Sequence, residues 1–421
     1  MKRYTPLYLL LLILYSPFAY AARIFIPMDA DNQANHLKAY GVAFAALTEG
    51  MEVDWLLNYQ GGSFSMYQTE GMERLCKLRG VNYDVISDAQ YNGILSTIAN
   101  PDYNGDVIKL EKAPKIAVYT PPGKQPWDDA VTLVLTYAEI PFDKVYDDEV
   151  LEGKLNEYDW LHLHHEDFTG QYGKFWAAYR NAGWYQEDVK NSEGIAAKHG
   201  YKKVSHLKLD VAKKIRDFVT GGGYLFAMCS ATDSYDIALD AQNTDICDVP
   251  FDGDAMAPDA QQKLDFTQGF AFKDFTISRS PYEYEFSNID NTNYRHVKMD
   301  VDYFTLFTFS AKFDPVPTML CQNHTTTIKG FMGQTTSFRN EVLKSNVLVM
   351  GEYKAAGEAR YLHGEYGKGT WTFYGGHDPE DYQHAIGDPP TELSSHPTSP
   401  GYRLILNNVL FPAAKKKPRK T

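Results

Sequence analysis

Four cysteines in 421 residues are too few to staple a disulfide scaffold together. No apolar run reaches the 20 or so residues that a membrane-spanning helix takes, so no membrane span is expected. Basic residues are the minority: 41 Lys and Arg against 54 Asp and Glu give a formal charge of −13. An acidic chain repels phosphate backbones, so nucleic acid is not an expected partner. The full G-x-G-x-x-G fingerprint is missing, and so is an S-G-G-x-D-S pyrophosphate loop; no cofactor is expected. No repeat of solenoid length is present either.

What is present begins with an address. Met1-Lys2-Arg3 is a positive start, Leu7 to Leu14 is an apolar run, and Ala19-Tyr20-Ala21 is an A-x-A site. That is the pattern of a secretory signal peptide over 1–21, with cleavage expected after Ala21. No cysteine sits near the cleavage point, so a lipid anchor is not expected. The mature chain is then exported, periplasmic or extracellular, with a charge of −15 once Lys2 and Arg3 are gone. At the other end, Lys415, Lys416, Lys417, Arg419 and Lys420 make a basic tail over 413–421, read as a solvated end.

Between these ends, strand-like and helix-like runs alternate. "RIFIPMD", "VDWLLN" and "YDVIS" read as strands; "NHLKAYGVAFAALTEG", "YQTEGMERLCKLRG" and "AQYNGILSTI" read as helices, with "GGSF" as a turn. This makes a first α/β unit over 22–112. The rhythm restarts with "PKIAVYTPP", "WDDAVTLVLTYAEI", "YDWLHLHH" and "HLKLDVAKKIRDFVTGGG", then resumes after an interruption with "EARYLHGEYGKGTWTFYGGH" and "YRLILNNVLF". The second unit covers 113–412. Its interruption, about 245–346, is rich in aromatic and alternating runs and is read as a β-rich insertion with its own small sheet. The expected class is α/β, with two doubly wound, flavodoxin-like or Rossmann-like parallel-sheet units.

"GGGYLFAMCSATDSYDIAL", residues 221–239, carries the sharpest motif. A helix stops at glycines, a strand follows, and Cys229 stands where the next helix begins. Its neighbours two positions either side are Ala227 and Ala231, small enough for the strand–elbow–helix turn that presents a nucleophile. N-terminal amides of the following helix would point at the sulfur and favour a thiolate. A late strand, "TWTFYGG", delivers His377, followed by Asp378 and Glu380; a histidine backed by a carboxylate is a base with its orienting group.

A cysteine elbow followed late in the chain by "YGKG…GGHDPE" resembles the class I glutamine amidotransferase-like superfamily, over roughly 113–412. The resemblance implies Cys229 as nucleophile, His377 as base and Glu380 as the carboxylate that orients it, with Asp378 competing for that role. It implies hydrolysis or transfer at an amide or acyl carbon. Where that family carries a glycine-rich oxyanion loop, this chain has His164, His165, Glu166 and Asp167. The early stretch "AYGVAF…EVDWLLNYQGGSF" is similar to exported chains with an asparagine-synthetase label; the mature start is not Cys, and the ATP-chemistry loop is lacking.

Plainer readings stand beside these. Cys229 is equally a buried strand residue or half of a bridge to Cys247 or Cys321. Strand alternation puts His162 and His164 on one face and His165 on the other. "LHLHHED" matches no specific metal spacing; a metal there would take His164 and Glu166, with His165, Asp167 and His377 in reach. Otherwise His164, His165, Glu166, Asp167 and Ser230 line a substrate cleft. Asp29 and Asp31 follow the first strand, where they could reach a ligand or where Asn32 could merely cap the next helix. Three functions follow: a Cys-His-Glu hydrolase of amidase type, a catalytically silent scaffold that binds a small-molecule, glycan or peptide ligand, or a metal-dependent hydrolase using the His164–Asp167 loop.

Overall fold

The computed structural model describes residues 22–122, 128–292 and 297–415. The expected signal peptide and most of the basic tail lie outside the described residues. Lys415 lies inside them, its ammonium 2.7 Å from Glu111. Among the described residues no helix is long and apolar enough to cross a membrane. The architecture is mixed α/β on two sheets.

The first sheet takes β1 (Ala22–Ile26), β2 (Val53–Leu57), β3 (Ser63–Tyr67), β4 (Asp84–Ser87) and β5 (Asp106–Leu110) in the order β4-β1-β3-β2-β5. All its pairings are antiparallel, which corrects the parallel sheet expected for this unit. The alternation of strand and helix is real: α1 (His36–Thr48) does carry the chain from β1 to β2, and these two strands run the same way. The sequence reading missed β3. Asn58, Gln60, Gly61 and Gly62 all hold positive φ, so the chain turns back at once after β2. The returning β3 inserts between β1 and β2 and pairs antiparallel with both, while β4 and β5 add antiparallel edges. Helices α2 (Glu70–Arg79) and α3 (Asp88–Ala99) complete the unit; Thr69 caps the first and Gly80, at φ 64°, ends it.

The second sheet is larger. Its parallel half holds β6 (Ile116–Tyr119), β7 (Asp143–Val145), β8 (Trp160–Leu163) and β9 (Tyr224–Met228), joined by α4 (Ala130–Ala138), α5 (Gly183–Lys198) and α6 (Val204–Gly221). After β9 comes α7 (Ala231–Asp240). The antiparallel half holds β10 (Tyr303–Leu306), β11 (Thr327–Lys329), β12 (Phe338–Arg339), β13 (Leu348–Tyr353) and β14 (Glu358–Tyr366). The last strand, β15 (Gly369–Tyr374), is the seam: it pairs antiparallel with β14 and parallel with β9, with Tyr374 in register with Met228. Gly367 and Lys368 make the two-residue turn into it.

The insertion does not build a sheet of its own, since β10 and β11 extend this one. Nor does "FAFKDFTIS" form a ladder. The N–H groups of Gly269, Phe270, Ala271 and Phe272 donate instead to the carboxylates of Asp240 and Asp236 on α7, at 2.6 to 3.1 Å. Those carboxylates take the donors a strand would have used, and the segment stays irregular.

Alternate residues of the parallel strands bury into different cores. Ile116, Val118, Trp160 and Phe226 face α1, α4 and the C-terminal helix α8 (Pro400–Leu410). Ala117, Leu161, Leu225 and Ala227 face α6 and α7. The first of these cores continues into the N-terminal unit. Gly41 on α1 makes that possible: a Cβ there would stand 1.8 Å from the Ala138 carbonyl oxygen. Arg403 of α8 ties the units further, donating to the carbonyls of Met28 (2.9 Å) and Gly61 (2.6 Å).

Candidate active site

Four parallel strands end on one side of the sheet, the edge at which open α/β sheets take ligands. Pro121 and Pro122 follow β6, His164 and His165 follow β8, Cys229 follows β9 and His377 follows β15. Cys229 sits between β9 and α7 with φ 49°, a left-handed conformation that a residue with a side chain adopts rarely. The Cys229 N–H donates to Gly376 at 3.2 Å, and the Ala231 N–H to His164 at 3.0 Å, so the ends of β8, β9 and β15 are laced together around the elbow.

The thiol is buried and capped by the insertion. The Gln334 N–H points at Sγ from 3.3 Å. Burial pushes the thiol up to about 11, against the pull of N–H groups of Gln334, Thr335 and Ser230. Gln334 is itself clamped, its amide donating to the carbonyls of Gly173 (2.6 Å) and Tyr284 (3.1 Å). Gly333 passes so close to the last strand that a Cβ would lie 2.8 Å from the His377 nitrogen. All four cysteines are free thiols; Cys247 points its sulfur at the Thr169 carbonyl, 3.3 Å away, so no bridge joins it to Cys229.

Cys229, His165, His377, His384 and Gln334 line a cavity of about 180 Å³. A larger one, about 680 Å³, is lined by Glu166, Asp167, Tyr172, Trp184 and Asp188 among others. His165 and Phe175 line both, so the two spaces meet there.

His377 is held from an unexpected side. Its Nδ1 lies 3.0 Å from Nε2 of His164. The carboxylate of Glu380 instead faces His396, at 3.1 Å, and Asp378 accepts the Glu380 N–H at 2.9 Å. The position the resemblance gives to Glu380 or Asp378 is thus filled by His164. Behind it stand His162, whose Nε2 is 3.3 Å from Nδ1 of His164, and Asp129, whose Oδ2 is 3.4 and 3.6 Å from these two rings. The other flank of His377 stacks on His384, with ring centroids 4.9 Å apart; His384 sits 2.8 Å from both Asp128 and Asp381. Burial, with neighbouring histidines, holds His164, His165 and His377 well below the usual imidazole range, so all three are neutral at pH 7.

The remaining expected residues divide. Glu166 is buried, accepts the His164 N–H at 3.2 Å and is pushed up to about 8 by burial and by Asp129. Its other oxygen is 3.9 Å from His165. Asp167 ties its own loop, accepting from Thr169 at 2.6 Å and from Gly173 at 3.1 Å. Ser230 is fully buried beside the elbow. Asp29 closes a loop over the N–H groups of Asp31 and Asn32, and Asn35, not Asn32, caps α1. Sequence reading gave no role to Asp128, Asp129, His384 or Gln334. Of these only Asp129 left a signal, as the acid before a helical run, and that signal spoke of capping.

No family model matches the chain, and no curated protein does. Solved structures give remote likenesses. One is a cytoplasmic protein of Salmonella typhimurium, 11% identical, TM-score 0.35, aligned over 72% of this chain and 100% of its own. A second Salmonella typhimurium cytoplasmic protein is 13% identical at TM-score 0.35, over 65% of this chain and 91% of its own. An exo-β-1,4-mannosidase from an Opitutaceae bacterium is 12% identical at TM-score 0.26, over 73% of this chain and 34% of its own. Likeness at this level carries no functional argument.

Proposed function

We propose that the chain is an exported, cysteine-dependent hydrolase of amidotransferase-like type, acting on an amide or acyl bond of a small-molecule, glycan or peptide ligand. One observation carries the reading. Cys229 is presented at φ 49° on a strand-to-helix elbow, in the same cavity as His377. Strand order supports the family assignment: numbered from β6, the parallel half runs 2-1-3-4-5, the flavodoxin-like order of a doubly wound sheet, and its two faces bury into separate cores.

The chemistry follows from the residues. Neutral His377, its Nδ1–H donated to His164, takes the thiol proton at Nε2, and the thiolate attacks the carbonyl carbon. The Ser230 N–H, next after the nucleophile, serves as the oxyanion donor in this reading. The protonated His377 returns its proton to the leaving group. Water then releases the acyl group from sulfur. His164, backed by Asp129, acts as the orienting group. The larger cavity holds the rest of the ligand.

A second reading, the silent ligand-binding scaffold, rests on the thiol itself, which burial keeps protonated beneath the Gln334 amide. A panel of chromogenic amides and esters, followed by intact-mass detection of an acyl adduct, separates the two. Turnover that is lost in Cys229→Ala, with an adduct on Cys229, is expected. Turnover that survives in Cys229→Ala overturns the hydrolase reading.

A further inference from the structure

Asp129, His162 and His164 converge on one buried point. Nε2 of His162 and Nδ1 of His164 are 3.3 Å apart, and Oδ2 of Asp129 is 3.4 Å from the first and 3.6 Å from the second. Both rings are fully buried, and Asp129 is only 7% exposed.

The hydrogens can be placed. Nδ1 of His162 lies 3.1 Å from the Phe226 carbonyl oxygen, which only accepts. That nitrogen therefore carries the hydrogen, and Nε2 of the neutral ring turns its lone pair into the triangle. Oδ1 of Asp129 is occupied by the Thr132 N–H at 2.7 Å, at the start of α4, which turns Oδ2 toward the same point. A lone pair and an anionic oxygen side by side, out of water, call for positive charge between them. A proton or a metal ion can supply it, and the distances discriminate. An imidazolium–carboxylate hydrogen bond closes to about 2.7–2.9 Å. Ligands held tetrahedrally at about 2.0–2.1 Å from a zinc-class ion stand about 3.3 Å apart. Edges of 3.3, 3.4 and 3.6 Å fit the second case.

We propose that Asp129 Oδ2, His162 Nε2 and His164 Nδ1 bind one divalent transition-metal ion of the zinc class, with a water in the fourth position. Two imidazoles and a carboxylate are a donor set such ions take readily. The surroundings suit a ligated site: Nδ1 of His162 faces the Phe226 carbonyl at 3.1 Å, and with the ion bound His164 would carry its hydrogen on Nε2 and give it to Nδ1 of His377, 3.0 Å away, the reverse of the donation in the metal-free hydrolase. The ion and the proton transfer assigned to His377 exclude each other, since one takes the Nε2–H form of His164 and the other its Nδ1–H form, so zinc binding is measured directly and not through turnover.

The test uses the whole mature chain, stripped with a chelator and titrated with Zn²⁺ alone by calorimetry, with bound metal counted by mass spectrometry. One ion per chain is expected. Asp129→Asn, nearly isosteric, and His162→Gln should each weaken binding by more than about 100-fold, beyond the 10–100-fold typical of an outer-shell loss. Circular dichroism checks that the variants fold, and Co²⁺ in place of Zn²⁺ should give the visible absorption of a tetrahedral site in the wild type. His165→Gln, which alters the neighbouring trio His164, His165 and His377, should bind as the wild type does, and so should Cys229→Ala. Failure of the wild type to bind stoichiometric Zn²⁺ overturns the proposal. So does unchanged binding in folded Asp129→Asn, or loss of binding in His165→Gln alone.

Discussion

Nδ1 of His377 faces Nε2 of His164 at 3.0 Å, whereas Glu380 lies against His396. The orienting group of the candidate base therefore comes from the end of β8, more than 200 positions earlier in the chain. His377→Ala should lower turnover by about 100-fold or more, the usual worth of a general base. His164→Ala should lower it too, and Glu380→Gln should leave it within a factor of two. Equal losses in His164→Ala and Glu380→Gln, read from initial rates, would contradict this assignment.

Burial pushes the Cys229 thiol up to about 11, outweighing the N–H groups around its sulfur. A raised pKa keeps the thiol form through neutral pH, and only thiolate reacts with iodoacetamide. Alkylation of Cys229 should therefore rise about tenfold per pH unit from pH 8 toward 11. Peptide mapping at each pH measures it; a plateau already reached at pH 8 would mean an activated thiolate in the resting protein.

An ion on Nδ1 of His164 would fix the hydrogen on Nε2 and give it to His377. The Nε2 of His377 then carries its own hydrogen and takes none from a thiol. Zinc at one equivalent should thus slow turnover in the wild type but not in Asp129→Asn. Chelator should restore the rate.

Lys208 is buried with both oxygens of Asp147 at 2.9 and 3.0 Å, and with the hydroxyls of Tyr119 and Tyr146. Burial alone would lower the lysine pKa; the neighbouring carboxylate more than reverses this. Lys208→Met strands the carboxylate and should cost about 3–5 kcal/mol by urea unfolding. Adding Asp147→Leu to it should recover most of that.

Gly41→Ala puts a methyl group where the Ala138 carbonyl oxygen already stands. Overpacking between α1 and α4 should cost about 1–3 kcal/mol in the same measurement. A neutral outcome would mean that the two units part easily along this contact.

Local signals made much of this legible and long-range pairing hid the rest. The elbow could be read because strand, cysteine and helix are adjacent in the chain, and His377 because it leaves a strand end. The antiparallel first sheet could not, since it depends on "SFSMY", a strand concealed behind a glycine turn. "FAFKDFTIS" has strand composition, yet Asp236 captures its first three amides from another element. Asp129 and His162 announce only a helix cap and an alternating strand; their meeting is a product of the sheet, which brings the start of α4 over the end of β8.

The rung that pairs Tyr374 with Met228 has a last consequence. Cys229 and His377 follow that rung by one and three residues, while 145 residues leave one side of it and return to the other. Within this excursion, α7, the turn at 331–336 and the strands β13 to β15 hold the two side chains in place, so length can vary only in the loops between these elements. Grafting experiments should therefore cut in those loops and leave α7 and β13 to β15 intact.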